Sequence, residues 1–342
     1  MKHSEAKDTN ALVVVPCLNE ERHIASIINS VLRDPIAENL VIVVADGGST
    51  DRTFEIIAQL ALSAPNVRFM ENPLKIQSAG VNRAARDFGR GRRWLIRMDA
   101  HADYPEAFVS TLIAEARRTC ASSVVVAMKS EGKGCFQRAA AAAQNSILGT
   151  GGSAHRRDGA EGFVDHGHHA LFEMDRFLEL NGYDETQSHN EDAEYDRRLT
   201  ASGSRIWLTR ATRITYFPRA RARDLYQQFW NYGRGRALTI LRHRARPKLR
   251  QLLPAAVAPS ALLFVAAPWI PIAGVPVLVW LVACFLFGLS LGLRRWDRCA
   301  AASGFVAMLM HLGWSIGFWS AWLEVAIQIL RPLPASPIYG AE

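Results

Sequence analysis

Short apolar runs alternate with segments of helical spacing over the first 130 residues of the chain. The run at 12–15 is β-branched and ends at Pro16, as expected for a buried strand. The next segment, 19–32, has its isoleucines and a valine spaced along one face of a helix. Further strands are predicted at 40–44, 67–70, 94–98 and 124–128, and further helices from Ser49 or Thr50 and over 76–88. This alternation predicts a doubly wound α/β domain with a mostly parallel sheet.

Polar residues stand where three of the predicted strands end. Asn19 and Glu20 follow the first strand, Asp46 ends the second, and Asp99 ends the fourth. Ligands of such sheets bind beyond the carboxyl ends of the strands. These side chains are therefore the first candidates for a site. No GxGxxG motif follows a strand, so a nicotinamide dinucleotide fold is not favoured.

The C-terminal third of the chain is apolar. Residues 251–293 contain no charged side chain, and the apolar character resumes at 299–323. A membrane-spanning helix needs about 20 such residues. We expect two spanning helices in the first stretch and a third in the second, although Glu324, Gln328 and nearby tryptophans also suit an interfacial helix. The predicted division is an α/β domain at 1–223, a basic juxtamembrane segment at 224–250, two to three transmembrane helices at 251–330 and a C-terminal tail at 331–342.

Basic residues cluster beside the apolar segments. The formal net charge is +8, and arginines and lysines crowd residues 234–250, with a second basic group at 294–298. The positive-inside rule predicts that both groups are cytoplasmic. The N-terminus shows no secretory signal. We therefore expect a multi-pass inner-membrane protein with a cytoplasmic N-terminal domain, and membrane lipids rather than nucleic acid as partners of the basic segment.

The chain has five cysteines, an odd number, and no CxxC motif. This pattern predicts neither a disulfide framework nor a zinc site and suits a reducing compartment. The histidine-rich stretch 165–169 also matches no zinc spacing.

Four motifs in order resemble the signatures of the family-2 glycosyltransferases with the GT-A fold. Residues 16–20 (PCLNE) resemble the PxxNE motif, and 46–51 (DGGSTD) resemble DDGSxD. Residues 99–103 (DAHAD) fall where the family carries DxD, and 190–192 (NED) where it carries ED. The detailed pattern is most similar to the bacterial exopolysaccharide branch, near the succinoglycan β-1,3-glucosyltransferases.

The resemblance implies roles for particular side chains. Contacts to the nucleotide sugar would come from Pro16, Asn19, Glu20, Asp46, Gly48, Ser49 and Asp99. Contacts to the acceptor or the diphosphate would come from Glu191, His168, Gln228, Trp230, Arg234 and Arg236. Gly47 stands where the family often has a second Asp, so one nucleotide contact is expected to be absent.

The expected chemistry needs a cation and a base. A divalent ion, Mn²⁺ or Mg²⁺, stabilises a leaving diphosphate, and Asp99 with His101 would bind it. His101 replaces the second Asp of DxD, and Asp103 is the other candidate ligand. Asp192 matches the general base that removes the proton of the acceptor hydroxyl, with Glu191 as the alternative. A single base with direct displacement implies inversion.

The resulting hypothesis is transfer of a hexose, with glucose favoured, from a UDP-sugar to a lipid-linked saccharide. Other polysaccharide-assembly proteins are further candidate partners. A polyprenyl-phosphate glycosyltransferase and a processive synthase are alternatives, although residues 227–230 do not match the QxxRW motif of processive enzymes. A membrane-tethered scaffold with a degenerate site is the non-enzymatic alternative.

Overall fold

The computed structural model describes residues 9–330 except 154, 155, 157, 158, 169, 170 and 188. The predicted C-terminal tail at 331–342, the first eight residues and His169 of the histidine-rich stretch lie outside the described residues.

One nine-stranded sheet forms the centre of the N-terminal unit. Its strands are β1 (Ala11–Cys17), β2 (Leu40–Asp46), β3 (Val67–Glu71), β4 (Trp94–Arg97), β5 (Ala102–Asp103), β6 (Ser123–Ser130), β7 (Gly162–Val164), β8 (Leu171–Glu173) and β9 (Ile206–Tyr216). Their spatial order is β3-β2-β1-β4-β8-β6-β9-β5, and β7 pairs with β9. The long pairings are parallel, namely β1 with β2 and β4, β2 with β3, and β6 with β9, whereas the short ones are antiparallel.

Helices cover both faces of this sheet. They are α1 (Ile24–Leu32), α2 (Thr53–Ser63), α3 (Gln77–Phe88), α4 (Phe108–Thr119), α5 (Cys135–Gln144), α6 (Ile147–Thr150), α7 (Met174–Glu179) and α8 (Glu191–Ala201). Successive side chains of β1 alternate between the two faces, because a strand has a period of two. Val13 and Val15 pack with α1, α2 and α4, whereas Leu12 and Val14 pack with α3, α7 and α8. The predicted α/β sheet and its five strands are confirmed.

The first two helices begin later than the sequence pattern predicts. α1 starts at Ile24 rather than Asn19, and α2 starts at Thr53 rather than Ser49 or Thr50. The residues before the two helices form hydrogen bonds between the two loops instead of extending the helices. Strands β5, β7, β8 and β9 were not predicted, because their pairing partners are distant in the chain and three of them have only two or three residues.

The C-terminal part of the chain is helical. Its elements are α9 (Ala222–Arg242), α10 (Leu249–Ala255), α11 (Val257–Leu263), α12 (Val275–Arg295), α13 (Arg298–Ala301) and α14 (Ser303–Leu330). Three segments are long and apolar enough to cross a membrane: Leu249–Ala266, Pro271–Arg295 and Arg298–Gln328. In an apolar stretch of 18 residues, the second segment is 22% buried inside the protein, whereas the third is 44% buried.

Helix α14 is partly buried because it packs closely on α9. A Cβ atom at Gly233 of α9 would collide with the carbonyl oxygen of Trp314, and one at Gly317 of α14 would collide with that of Trp230. Backbones approach this closely only where side chains are missing. Arg234 and Glu324 form an ion pair at 2.6 Å beside this contact. We call the contact the α9–α14 joint.

The expectation that no cysteine is disulfide-bonded is wrong. Cys135, the first residue of α5, is bonded to Cys299 in α13. The two residues are 164 positions apart in the chain, so no local motif marks the pair. Arg138 and Asp297 add an ion pair at 2.8 Å next to it. The turn before α14 is thereby attached to the N-terminal unit.

Candidate active site

The loops that follow β1 and β2 are bonded to each other through the predicted motif residues. Asn19, which has a φ of 57°, accepts the backbone N–H of Thr50 at 2.8 Å through Oδ1. Its own N–H donates to Ser49 Oγ at 2.8 Å, and the N–H of Glu20 donates to Thr53 Oγ1 at 2.9 Å. These bonds hold the two motifs together as one surface at the end of the sheet.

Asp46 shapes the second loop. Its Oδ2 accepts the backbone N–H groups of Gly48 at 3.0 Å and Ser49 at 2.9 Å, and its Oδ1 accepts the Ser49 hydroxyl at 2.5 Å. The residue is 5% exposed. Pro16 lies in the neighbouring strand, paired with Ala45. The predicted nucleotide residues are therefore adjacent, and Asp46 sets the shape of their loop.

Glu20 connects this surface to the end of β4. Its Oε1 lies 3.5 Å from His101 Nδ1, and its Oε2 lies 2.9 Å from His23 Nδ1. Burial raises the pKa of Glu20, but the hydrogen bonds from His101 and His23 outweigh burial and lower the pKa overall. The hydrogen bond from Glu20 raises the pKa of His101, opposed by burial and supported by the charge of Asp99.

A buried arginine joins the carboxylates at the centre of the site. Arg97 ends β4 and is 3% exposed. Its Nη1 donates to Asp192 Oδ1 at 2.7 Å and to Glu191 Oε1 at 3.0 Å, and its Nη2 donates to Asp99 Oδ1 at 3.2 Å. Nη2 also donates to Gln77 Oε1 at 2.8 Å. We call Arg97 with these three carboxylates the Arg97 centre.

Arg97 was missed in the sequence interpretation. The available signal was a charged residue directly after the apolar triplet Trp94-Leu95-Ile96, inside a strand predicted to be buried. A buried charge in such a place requires partners of opposite charge. The acidic motif at 190–192 was the natural partner, although nothing in the sequence gives the distance between them.

The two carboxylates of the acidic motif have different environments. Burial is the largest single influence and raises the pKa of Asp192, but the Arg97 guanidinium and His168 together outweigh it and hold the pKa well below its ordinary value. Burial raises the pKa of Glu191 to about 7, although Arg97 acts in the opposite direction. Asp192 is therefore the ionised member of the pair at neutral pH, as its predicted role requires.

Two histidines approach α8 from the segment before β8. His168 Nδ1 lies 2.7 Å from Asp192 Oδ2, and His166 Nδ1 lies 2.7 Å from Asp196 Oδ2. The predicted acceptor residue His168 is thus in direct contact with the predicted base. Among the described residues, no group of three or more His, Cys, Asp and Glu side chains is arranged to hold a metal ion.

The predicted acceptor and diphosphate residues of α9 lie at different places. Gln228 donates to the Tyr216 hydroxyl at 2.8 Å. Arg236 donates to Asn190 Oδ1 at 3.3 Å, directly before α8, and burial lowers its pKa to about 10. Trp230 and Arg234 lie at the α9–α14 joint, with the Arg234 guanidinium over the Trp230 ring. Only Gln228 and Arg236 contact elements of the N-terminal unit in these bonds.

The end of β4 offers two ligands for a divalent cation. Asp99 is 7% exposed and His101 is two residues further along the chain, beside Glu20. One carboxylate and one imidazole do not enclose an ion by themselves. They suit a cation that takes its remaining ligands from phosphate oxygens and water, which is how Mg²⁺ is usually bound beside a nucleotide. The residues present therefore fit such a cation.

Comparison with known proteins shows the family of the chain. Residues 12–178 match the family model described as glycosyl transferase family 2. The chain is 47% identical over 326 residues to the succinoglycan biosynthesis protein ExoA of Rhizobium meliloti (strain 1021), covering 95% of this chain and 98% of that protein. The chain belongs to glycosyltransferase family 2, and it is a glycosyltransferase.

Solved structures share the fold at low sequence identity. The mannosyltransferase PcManGT from Pyrobaculum calidifontis, in complex with GDP-Man and Mn²⁺, superposes with a TM-score of 0.55 at 17% identity over 89% of this chain and 87% of that one. GalNAc-T7 with UDP, GalNAc and Mn²⁺ superposes with a TM-score of 0.52 at 14% identity, over 73% of this chain and 50% of that one. The N-terminal unit thus has the predicted GT-A fold.

Proposed function

We propose that this glycosyltransferase moves a hexose, with glucose favoured, from a UDP-sugar to a lipid-linked saccharide during exopolysaccharide synthesis. The convergence of Asp99, Glu191 and Asp192 on Arg97, beside the bonded loops of Asn19 and Asp46, carries this proposal. A nucleotide diphosphate and an alcohol would meet at this edge of the sheet. The long match to a succinoglycan biosynthesis protein supports the pathway class.

The donor would bind across the ends of β1, β2 and β4. Glu20 and the loop shaped by Asp46 offer hydrogen-bond partners to the base and the ribose. Mn²⁺ or Mg²⁺, held by Asp99 and His101 together with diphosphate oxygens, would stabilise the charge of the leaving group. The two structural relatives described above were solved with nucleotides or nucleotide sugars and Mn²⁺, which supports this assignment.

The acceptor would meet the α8 side of the site. Asp192 heads α8 and is ionised, so it provides the basic centre for removal of the acceptor proton. Arg97 holds the Asp192 carboxylate in position. Its positive charge lies between Asp192 and Asp99 and reduces the repulsion between the two carboxylates. Attack by the alcohol on the face opposite the diphosphate inverts the anomeric carbon, and an α-linked donor then gives a β-linked product.

The decisive experiment compares the wild type with Asp192→Asn in membranes supplied with radiolabelled UDP-sugars and lipid-linked acceptors. We expect transfer to fall by about 10²-fold or more, because a general base contributes that much, while donor binding is retained. Asp175→Asn, a matched change on the exposed face of α7, should transfer at the wild-type rate. Full transfer by Asp192→Asn would remove Asp192 from the mechanism, and no transfer by the wild type with any UDP-sugar would contradict the donor class.

We further propose an inner-membrane protein whose N-terminal unit is cytoplasmic. The ion pair between Arg138 and Asp297 holds the second basic turn beside α5, which supports one side of the membrane for both. The first two apolar segments would then form a hairpin between the two basic groups. A cysteine introduced at Trp269, in the turn of that hairpin, should react with an impermeant maleimide from the periplasmic side. Labelling only after the membrane is opened would reverse this topology.

A further inference from the structure

Two arginines on different helices lie near the start of α8 without a carboxylate partner. Arg236 of α9 donates to Asn190 Oδ1 at 3.3 Å, and Arg250 of α10 donates to Ser153 Oγ at 3.3 Å. Among the residues that the structure describes, neither guanidinium forms an ion pair with an aspartate or a glutamate. We call Arg236 and Arg250 the arginine pair.

Close packing fixes the backbone on both sides of the arginine pair. A Cβ atom at Gly235 would collide with the carbonyl oxygen of His189, so α9 lies directly on the residues before α8. A Cβ atom at Gly151 would lie 2.9 Å from Arg250 Cβ, so the loop after α6 lies directly against α10. Residues of α9 and α10 also share one buried apolar cluster with α14. The two arginines are therefore presented by helices that are held together.

The surroundings of the arginine pair leave positive charge unbalanced. Burial lowers the pKa of Arg236 to about 10, and the charge of Arg250 acts in the same direction. Asp165 and Asp196 oppose this shift. Asp165 already pairs with Lys248, however, and Asp196 accepts a backbone N–H from the segment before β8. A buried guanidinium without a paired anion is costly, so an anion from outside would stabilise this place.

The arginine pair lies between the candidate catalytic carboxylates and the first apolar segment. Asn190, which accepts from Arg236, is two positions before Asp192. Arg250 is the second residue of Leu249–Ala266, which is long and apolar enough to cross a membrane. An anion bound here would have α8 on one side and the start of a lipid-facing helix on the other.

We propose that the arginine pair binds the diphosphate of the lipid-linked acceptor, with its saccharide directed to Asp192 and its lipid chain along Leu249–Ala266. This inference rests on the proposed glycosyl transfer. Two guanidinium groups suit a diphosphate, because each presents parallel N–H donors to a pair of phosphate oxygens. The donor diphosphate has its own proposed ligands, Asp99 and His101. The chain would thus bind two diphosphates at two separate places.

The test measures binding without transfer. The purified full chain in a neutral detergent would be titrated with polyprenyl diphosphate and followed by microscale thermophoresis. Arg236→Gln and Arg250→Gln should each weaken this binding by about 10- to 100-fold, because each removes charge-assisted hydrogen bonds. Affinity for UDP should stay within about threefold. Arg246→Gln, at an exposed arginine of the same basic segment, should bind polyprenyl diphosphate as the wild type does.

Three outcomes would overturn the inference. The first is unchanged binding of polyprenyl diphosphate in the two glutamine variants, with thermal melting to verify that each is folded. If Arg236→Gln does not fold, Arg250→Gln decides the result alone. The second is an equal loss of UDP affinity, which would assign the arginine pair to the donor. The third is wild-type affinity for inorganic pyrophosphate or for phosphatidylglycerol as high as for polyprenyl diphosphate, which would remove the lipid diphosphate as the ligand.

Failure of the proposed function would give a different result. A wild type that binds polyprenyl diphosphate through the arginine pair, but transfers no sugar to any lipid-linked acceptor, would contradict the proposed function while supporting the binding site. Transfer that is equally efficient in the wild type and in both glutamine variants would support the function and overturn the inference.

Discussion

The Arg97 centre and the α9–α14 joint both connect distant segments, but different interactions hold them. The centre buries four charged side chains, and its cohesion depends on every charge having its partner. The joint has a partly exposed ion pair at its side, and its cohesion depends on missing side chains at Gly233 and Gly317. Removing a charged group should therefore destabilise the Arg97 centre, whereas adding a side chain at a glycine should destabilise the α9–α14 joint.

The comparison also separates chemistry from anchoring. The centre lies at the carboxyl ends of parallel strands, where the sheet leaves room for a ligand. The joint and the Cys135–Cys299 bond fix α14 to the N-terminal unit, while Pro271–Arg295 remains largely exposed. Two segments that are both apolar enough to span a membrane thus differ in how they relate to the site. Pro271–Arg295 is suited to lipid contact along most of its length, whereas Arg298–Gln328 is suited to holding the catalytic unit.

The largest effect is expected from Arg97→Met. This change leaves Asp99, Glu191 and Asp192 buried without their cation, and breaking such a cluster costs about 3–5 kcal/mol. Transfer should be lost together with stability, which chemical denaturation monitored by circular dichroism would measure. Arg83→Met, at an exposed ion pair with Asp87, should cost less than about 1 kcal/mol. Similar losses in the two variants would show that the centre is not held by charge.

The pH dependence of stability should change in Glu191→Gln. Burial raises the pKa of Glu191 to about 7 in the folded protein, against an ordinary value of 4.5 for a solvated glutamate. The stability linked to this group is therefore fully present below pH 4.5 and is lost as the pH rises through about 7. The loss should be on the order of 3 kcal/mol in the wild type.

Denaturation midpoints measured between about pH 4.5 and 8 would reveal this slope, which the glutamine variant should lack. Glu179→Gln, at a largely exposed side chain of α7, should leave the slope unchanged. An identical slope in Glu191→Gln and in the wild type would mean that another group is responsible.

A smaller effect is expected at the joint from Gly317→Val. The added side chain must displace the backbone of Trp230, and overpacking of this kind costs about 1–3 kcal/mol. Limited proteolysis between α9 and α14 should become faster in detergent. Ala326→Val, on the exposed part of the same helix, serves as the control. Equal protease resistance in Gly317→Val would show that the joint tolerates separation.

The smallest effect is expected from Glu324→Gln. This removes the ion pair with Arg234, whose partners are 51% and 30% exposed, so the change should cost less than about 1 kcal/mol. Thermal melting beside Glu131→Gln, at another exposed pair, would measure it. A loss as large as that of Gly317→Val would mean that charge also holds the joint.

The strands and the motif loops could be predicted because their signals are local. The apolar side chains of Leu12 to Val15 predict a buried strand. Asp46 and the two glycines after it predict a turn at the end of the second strand. The family resemblance added the expected roles of those loops without showing any distance. The late start of α1 could not be read locally, because Asn19 bonds to Thr50, 31 residues away.

Local pattern and family likeness by themselves determined the order of the five predicted strands and the first three helices, the loops that carry the motifs and the apolar segments near the C-terminus. Tertiary structure alone decided that Arg97 would meet Asp192 across 95 positions, that His168 would reach the same carboxylate, and that Cys135 would bond to Cys299. The physical reason is that periodicity is a property of neighbouring residues. Charge pairing and close packing depend on which surfaces the whole chain brings together.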